Sequence, residues 1–275
     1  MSHGRPLIPA FHEWPLVVFS TLAIMGAGLL STPLFAWAIA GTPALAAGAM
    51  PWGVVLLGAG LIVSVGHLGR PLRAPLAPLG LGRSRLSAEI VAAGAALVVG
   101  GVAAAMPYVS PVLDLVAATA AVAFLVALGA VYSLPGQETW RGAVAWMPLT
   151  TGLGFGAVSL TGHWGESLVA VGAFAAVALA VDTGLLILRR LALVFPAAPL
   201  HPRYPAVFDR RQGLLAARLA LVDILPGVCV FAGLPKGAAG LLALGILVDR
   251  LSFYGFACQH TTESEVSRVE SLLAD

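Results

Sequence analysis

Long apolar segments separated by short polar loops recur along the whole chain, and this feature most restricts how it can fold. They fall at roughly 15–40, 50–67, 86–106, 111–132, 143–161, 167–188, 212–234 and 237–257, each bounded by glycine, proline or charged residues. A helix of about 18 residues or more is long enough to cross a hydrocarbon layer of about 30 Å. The sequence therefore predicts an all-α bundle of eight transmembrane helices with short loops.

The composition supports a membrane protein. Only 10% of the 275 residues are charged, whereas 59% are hydrophobic. A soluble domain carries charge on about a quarter of its residues, so lipid is expected to cover the outer surface here. No repeat, low-complexity tract or change of composition divides residues 1–275. We therefore predict a single membrane domain, with no nucleic-acid partner.

The basic residues predict the orientation of this bundle. With eight spans, fourteen of the fifteen Lys and Arg residues lie on the side of the two termini or in the helix ends nearest to it, and only Lys236 lies opposite. Short loops rich in Lys and Arg resist translocation and stay in the cytoplasm. Both termini are therefore expected in the cytoplasm.

Two titratable residues flank the loop between the second and third segments. His67 ends one span and Glu89 opens the next, so antiparallel helices would bring them to the same depth. An imidazole gains or loses a proton near neutral pH, and a carboxylate inside a bilayer segment is costly and usually functional. Together they suit quinone chemistry, which needs proton donors and acceptors. The alternative is a histidine that caps a helix and a glutamate that complements a helix dipole.

Other polar and aromatic residues are predicted at the same membrane face. Each has an alternative structural explanation: an interfacial aromatic, a basic loop or, for Arg250, a charge paired with its neighbour Asp249. The functional interpretation makes them walls of a quinone pocket or contacts with a partner subunit. These residues are Glu13, Trp14, Arg70, Arg73, Ser87, Arg250 and Tyr254.

In these regions the chain resembles the DmsC-type membrane anchors of dimethyl-sulfoxide-reductase-like complexes. The resemblance spans nearly the whole chain and is carried by short blocks in a fixed order. They are His12-Glu13-Trp14-Pro15-Leu16, His67-Leu68-Gly69 with Pro71 and Arg73-Ala74, Leu86-Ser87 with Glu89-Ile90, Val131-Tyr132 followed by Trp140, and Arg250 with Phe253-Tyr254-Gly255.

The resemblance implies an anchor with eight helices that exchanges electrons between the membrane quinone pool and an iron–sulfur subunit. That subunit would serve a molybdopterin catalytic subunit, so this chain would carry a quinone site without being the catalytic subunit. By the resemblance, His67 and Glu89 belong to the quinone site. Glu13, Arg70 and Arg73 would lie near the contact with the iron–sulfur subunit.

The orientation departs from that of sulfoxide-respiring members, which hold their soluble subunits outside the cytoplasmic membrane. Here the arginine-rich face that carries the motifs is predicted to be cytoplasmic. Related SoeC-type anchors serve cytoplasmic sulfite-oxidising complexes, and the charge distribution is similar to theirs. We therefore expect electrons from a cytoplasmic donor, such as sulfite, to enter the quinone pool. The alternative is the anchor of a sulfoxide- or polysulfide-type reductase that oxidises quinol.

Two other functions need different residues. A haem-binding subunit needs paired axial ligands within the bilayer, and no histidine pair is predicted there, so neither haem nor another metal is expected in this chain. A proton-coupled transporter would use midplane acids such as Asp182 and Asp223. Neither acid is predicted in an interrupted helix, and Arg189 and Arg218 lie close enough in sequence to neutralise them.

Overall fold

The structure is a computed structural model, and it describes residues 14–67, 71–107, 109–132, 146–161, 168–194 and 213–255. Two residues with a predicted functional role, Glu13 and Arg70, lie outside these residues. The described residues form helices and turns, with no β-strand among them.

Nine helices follow one another along the described chain. They are α1 (Trp14–Leu30), α2 (Thr32–Ala40), α3 (Met50–His67), α4 (Arg85–Ala105), α5 (Pro111–Val131), α6 (Met147–Thr161), α7 (Leu168–Val194), α8 (Gly213–Phe231) and α9 (Pro235–Gly255). Two 3₁₀-helical segments, Pro43–Ala46 and Pro71–Gly80, lie between the helices.

The helices fall in all eight predicted apolar segments. Within the described residues, five stretches are long and apolar enough to span a membrane: Trp14–Ala40, Arg85–Ala105, Pro111–Val131, Gly213–Phe231 and Pro235–Tyr254. Two shorter apolar helical stretches are Met50–Val65 and Ala175–Leu188. The all-α membrane architecture is thus confirmed, whereas the number of eight spans and the side of the termini remain predictions.

The first apolar segment is broken into α1 and α2 at Ser31. The Ser31 hydroxyl donates to the carbonyl oxygen of Gly28 at 2.6 Å, and the Thr32 hydroxyl donates to that of Leu29 at 2.6 Å. Pro33, at the start of α2, has no N–H to continue the hydrogen bonding of α1. The Thr32 hydroxyl thus satisfies the Leu29 carbonyl group, for which Pro33 has no N–H to offer, whereas the Gly28 carbonyl also accepts the backbone N–H of Ser31 at 3.2 Å.

Helix α1 lies at the centre of the bundle, in contact with α3, α5, α6 and α9. Its small residues allow backbones to touch. A methyl group added at Gly28 would overlap with the carbonyl oxygen of Gly152 in α6, and one at Gly156 would overlap with that of Gly28. Close backbone contact of this kind favours helix association in lipid, where the hydrophobic effect between helices is weak.

Helix α8 contains a π-helical turn at Leu219–Ile224. Such turns are rare and are frequently found at functional sites. Gly245 of α9 packs directly on it, because a methyl group there would lie 2.9 Å from the carbonyl oxygen of Leu221. The close packing fixes α9 against the irregular part of α8.

The outer faces of the helices carry large apolar side chains. Exposed examples are Ile62 on α3, Val98 on α4 and Phe231 on α8. The interior, by contrast, holds buried polar and charged groups that include Glu89, Asp182 and Arg218. This apolar exterior with a partly polar interior is the arrangement expected for a protein surrounded by lipid.

Candidate functional site

Two tyrosines meet where α5 and α9 end. The hydroxyl groups of Tyr132 and Tyr254 are 2.6 Å apart and share a hydrogen bond. Phe253 packs edge-on against both rings, with centroid distances of 5.1 Å to each. Because successive membrane spans run in opposite directions, the start of α1, the end of α3 and the start of α4 lie at the same end of the bundle as these two tyrosines.

Glu89 reaches this tyrosine pair from the start of α4. Its side chain is buried, with 5% exposure, and its carboxyl group interacts electrostatically with both Tyr132 and Tyr254. The Ser84 hydroxyl caps α4 by accepting from the backbone N–H of Ser87 at 3.3 Å. Because the cap fixes where α4 begins, it also fixes which side of the helix carries Glu89.

Helix α1 completes this side of the site. The Ser20 hydroxyl lies within hydrogen-bonding reach of Tyr254 and donates to the carbonyl oxygen of Leu16 at 2.7 Å. Val17 is buried in the same apolar cluster as Phe253 and Tyr254. We call Glu89, Tyr132, Tyr254 and Ser20 the tyrosine site. It combines the hydroxyl groups of buried Ser20 and Tyr254 and of partly buried Tyr132 with one buried carboxyl group, so it can donate and accept protons.

The other predicted residues are placed as follows. His67 is the last residue of α3, which packs against α4, but its side chain lies outside what the structure describes. Pairing of His67 with Glu89 therefore remains a prediction. Arg73 lies in the 3₁₀ segment Pro71–Gly80, and its side chain is likewise outside the described part. Ser87 faces that segment, with its hydroxyl beside Gly80, and Trp14 is exposed at the start of α1.

Arg250 lies one helical turn before Tyr254 and is fully buried. Its guanidinium carbon is 4.8 Å from the centre of the Phe253 ring, a cation–π distance. Its Nε donates to Oδ2 of Asp249 at 3.0 Å, and it also interacts electrostatically with Tyr132 and Tyr254. Arg250 thus connects the tyrosine site to a second group of buried charges.

These charges surround Arg218 of α8, which is fully buried. Its Nη1 donates to Asp223 at 2.7 Å and its Nε to Asp249 at 3.3 Å. Its Nη2 donates to Asp182 of α7, and the Thr150 hydroxyl of α6 donates to Asp182 at 2.5 Å. We call this group the ionic cluster, and its residues are Thr150, Asp182, Arg218, Asp223, Asp249 and Arg250.

The ionic cluster refines the sequence interpretation of the two midplane acids. Asp223 pairs with Arg218, as expected from their spacing. Asp182 pairs with the same Arg218 of a neighbouring helix, a contact between helices that the nearby Arg189 does not suggest. Asp223 occupies the π-helical turn, but α8 continues through this turn from Gly213 to Phe231, so the helix around Asp223 is distorted and not interrupted. The hydropathy of the segment does not reveal the π-helical turn, because one additional residue in a turn leaves the length and apolar character of the helix almost unchanged.

Sequence reasoning also missed the role of Tyr132 and one of the two arginine partners of Asp249. Tyr132 belongs to the family resemblance but carries no predicted role, although a tyrosine at the end of a span opposite Tyr254 is a usable signal. Asp249 is expected from its position to pair with Arg250, and the structure adds its bond to Arg218. Within the described residues there is no group of three or more His, Cys, Asp or Glu side chains arranged to hold a metal ion.

Comparison with known proteins extends the resemblance over most of the sequence. The model of the family described as DMSO reductase anchor subunit (DmsC) matches residues 8–255. The C subunit of anaerobic dimethyl sulfoxide reductase from Escherichia coli (strain K12) is 30% identical over 274 residues, which cover 89% of this protein and 95% of that one. The anaerobic dimethyl sulfoxide reductase subunit YnfH from the same organism is 40% identical over 95 residues, or 33% of each protein. The protein is therefore a multi-pass membrane protein that belongs to the DMSO reductase anchor subunit (DmsC) family.

Proposed function

We propose that the protein anchors an iron–sulfur subunit and a molybdopterin catalytic subunit to the membrane and exchanges electrons between the iron–sulfur subunit and the quinone pool. Membership of the anchor family supports the partners. The observation that carries the quinone assignment is the buried Glu89 carboxyl group, in electrostatic contact with the hydrogen-bonded Tyr132–Tyr254 pair. The protein would carry a redox site while the catalytic reaction takes place in its partner.

The tyrosine site has the chemistry that a quinone head group requires. Reduction of a quinone adds two electrons and two protons, so its carbonyl oxygens need hydrogen-bond donors and a nearby route for protons. The phenol groups of Tyr132 and Tyr254 are such donors, and Glu89 is a group that can hold and pass a proton. Because the tyrosine site lies at the ends of apolar helices, the isoprenoid tail of a quinone bound there could extend into the hydrocarbon layer of the membrane.

The remaining predicted residues extend this site. We assign His67 to the proton exchange at the quinone, because it ends the helix that packs against α4. Trp14, Ser87 and Arg250 belong to the same end of the bundle and are proposed as pocket or contact residues. Glu13, Arg70 and Arg73 are proposed at the contact with the iron–sulfur subunit.

The proposed direction of electron flow rests on the predicted orientation and on the similarity of the charge distribution to that of anchors of cytoplasmic sulfite-oxidising complexes. Fourteen basic residues on the side of the tyrosine site favour a cytoplasmic location for that face. We therefore propose that the soluble partners bind in the cytoplasm of a bacterium and that the complex is a sulfite:quinone dehydrogenase. The alternative is a sulfoxide- or polysulfide-type reductase that oxidises quinol, which the anchor family also accommodates.

The proposal is tested by comparing two acids of the purified complex. Glu89→Gln should slow quinone-linked turnover by roughly tenfold or more, as expected for lost acid–base assistance, and leave turnover with a soluble dye unchanged. Asp114→Asn is the matched control, because Asp114 is equally buried but lies about 27 Å from Tyr132 along α5. Equal quinone-linked turnover in both variants would place the quinone elsewhere.

A further inference from the structure

One nitrogen of the Arg250 guanidinium group is buried without a hydrogen-bond acceptor among the described residues. Nε donates to Oδ2 of Asp249 at 3.0 Å, and Nη2 donates to the same oxygen. Nη1 makes no hydrogen bond with any residue that the structure describes, although the side chain is only 1% exposed. Buried polar groups are normally paired. An unpaired donor at this position therefore indicates that a ligand supplies the acceptor.

The shape of the guanidinium group shows where this donor lies. Its three nitrogens surround one carbon in a plane, and their N–H groups have fixed directions. Nε and Nη2 form the edge that faces Asp249, and the other oxygen of Asp249 accepts from Arg218 in the ionic cluster. Nη1 lies opposite that edge. It is therefore turned away from Asp249.

The tyrosine site is close to the same guanidinium group. Arg250 and Tyr254 are four residues apart on α9, so they lie on one face of the helix. The guanidinium carbon is 4.8 Å from the centre of the Phe253 ring, and that ring packs against Tyr132 and Tyr254 with centroid distances of 5.1 Å. Arg250 also interacts electrostatically with both tyrosines. A ligand that contacts the two phenol groups would therefore lie beside Arg250.

The charge of the donor indicates the kind of oxygen that it suits. An arginine stays protonated in proteins, so Nη1 can donate a hydrogen bond but cannot give up its proton. A hydrogen bond from a charged donor to an anionic oxygen is shorter and stronger than one between neutral groups. The phenol groups and the Glu89 carboxyl group differ from Arg250, because they can pass a proton on. Arg250 is thus suited to an oxygen that keeps its negative charge.

We propose that Nη1 of Arg250 donates to an oxygen of the quinone head group and makes the tyrosine site selective for head groups with a negatively charged oxygen. This assignment rests on the proposed function, because it requires a quinone at the tyrosine site. It divides the work of the site between two kinds of group. Tyr132, Tyr254 and Glu89 exchange protons, whereas Arg250 holds negative charge.

Two naphthoquinones that differ in one substituent test the selectivity. A hydroxynaphthoquinone that is ionised at neutral pH carries a negative charge on its oxygens, whereas its methoxy analogue has a similar shape and is neutral. Both are titrated calorimetrically into the purified complex at neutral pH. The ratio of the two affinities, anion over neutral analogue, should fall by roughly tenfold in Arg250→Gln, as expected for the loss of one hydrogen bond to a charged group.

A second variant guards against misfolding, because Arg250→Gln also removes the positive charge beside Asp249. Arg250→Lys keeps that charge but lacks the planar group with donors on opposite sides, so the ratio should fall in this variant too. Arg85→Gln is the control. Arg85 is an exposed arginine at the same end of the bundle and donates to the carbonyl oxygen of Ala130 at 3.1 Å. Its removal should leave the affinity ratio unchanged, because water screens an exposed charge.

The possible outcomes separate this proposal from the proposed function. A wild-type ratio in the folded Arg250 variants, with binding of the neutral analogue still weakened by Glu89→Gln, would overturn the role of Arg250 and leave the quinone site in place. An equal fall in Arg85→Gln would reveal only a general effect of positive charge and would also overturn it. Failure of both naphthoquinones to bind the wild-type complex would contradict the proposed function itself.

Discussion

The phenol oxygens of Tyr132 and Tyr254 lie 2.6 Å apart, although 122 positions separate the two residues in the sequence. This contact joins the end of α5 to the end of α9 inside the bundle. Both side chains also meet Phe253, and Glu89 approaches them from α4. Helices α4, α5 and α9 therefore contribute to one small polar region. Polar groups without hydrogen-bond partners would be unfavourable in these apolar surroundings, and here the two tyrosines bond to each other.

The tyrosine pair gives the first prediction. Tyr132→Phe removes one hydroxyl and should lower the free energy of unfolding by about 1 kcal/mol, the usual net contribution of one hydrogen bond. It should also slow quinone-linked turnover while dye-linked turnover stays unchanged. Thermal unfolding in detergent and the two assays measure these effects. Equal loss of both activities would indicate a purely structural role for the pair.

The ionic cluster gives the second prediction. Arg218→Met leaves three buried carboxyl groups without their common partner and should destabilise the protein by about 3–5 kcal/mol, as expected for breaking a buried ion pair. Lys236→Met, at an exposed position in the first turn of α9, should change stability little. The temperature midpoint of thermal unfolding should be lower for Arg218→Met than for Lys236→Met. Similar midpoints for the two variants would contradict the prediction that Arg218 stabilises the buried carboxyl groups.

Backbone contact at Gly28 gives the third prediction. Gly28→Ala should impair folding of the bundle, because the added methyl group overlaps with the backbone of α6. Gly101→Ala is the matched control, since nothing lies within 4 Å of a methyl group at that position. The yield of monodisperse protein in mild detergent should fall for the first variant and not for the second. Unchanged yield for both would disprove tight packing of α1 on α6.

The orientation gives the fourth prediction. A reporter that is active only in the cytoplasm, fused after Asp275, should be active, because short basic loops stay on that side. Activity of a periplasmic reporter at the same position would reverse the orientation. The argument for a sulfite-oxidising complex would then fail with it, while the tyrosine site would keep its place in the bundle.

Much of the fold follows from the sequence, because apolar length alone predicts where helices form in lipid. The helices occupy all eight apolar segments, but the break between α1 and α2 at Ser31 is not among the predictions, which treat 15–40 as one segment. Of the predicted site, Glu89 and Tyr254 do come together, whereas the side chain of His67 stays outside the described residues. The Tyr132–Tyr254 bond and the contact of Asp182 with Arg218 depend on which helices become neighbours. The π-helical turn around Asp223 does not change the hydropathy of its segment, so sequence patterns do not predict it.

The central claim is that a quinone binds at the tyrosine site, and direct binding tests it best. A short-chain quinone analogue should bind the purified wild-type complex saturably, one per complex, by calorimetric titration. Glu89→Gln and Tyr254→Phe should each weaken binding by roughly fivefold or more, in line with the loss of one hydrogen bond, and Asp114→Asn should bind as the wild type does. Wild-type affinity in both Glu89→Gln and Tyr254→Phe would contradict the account.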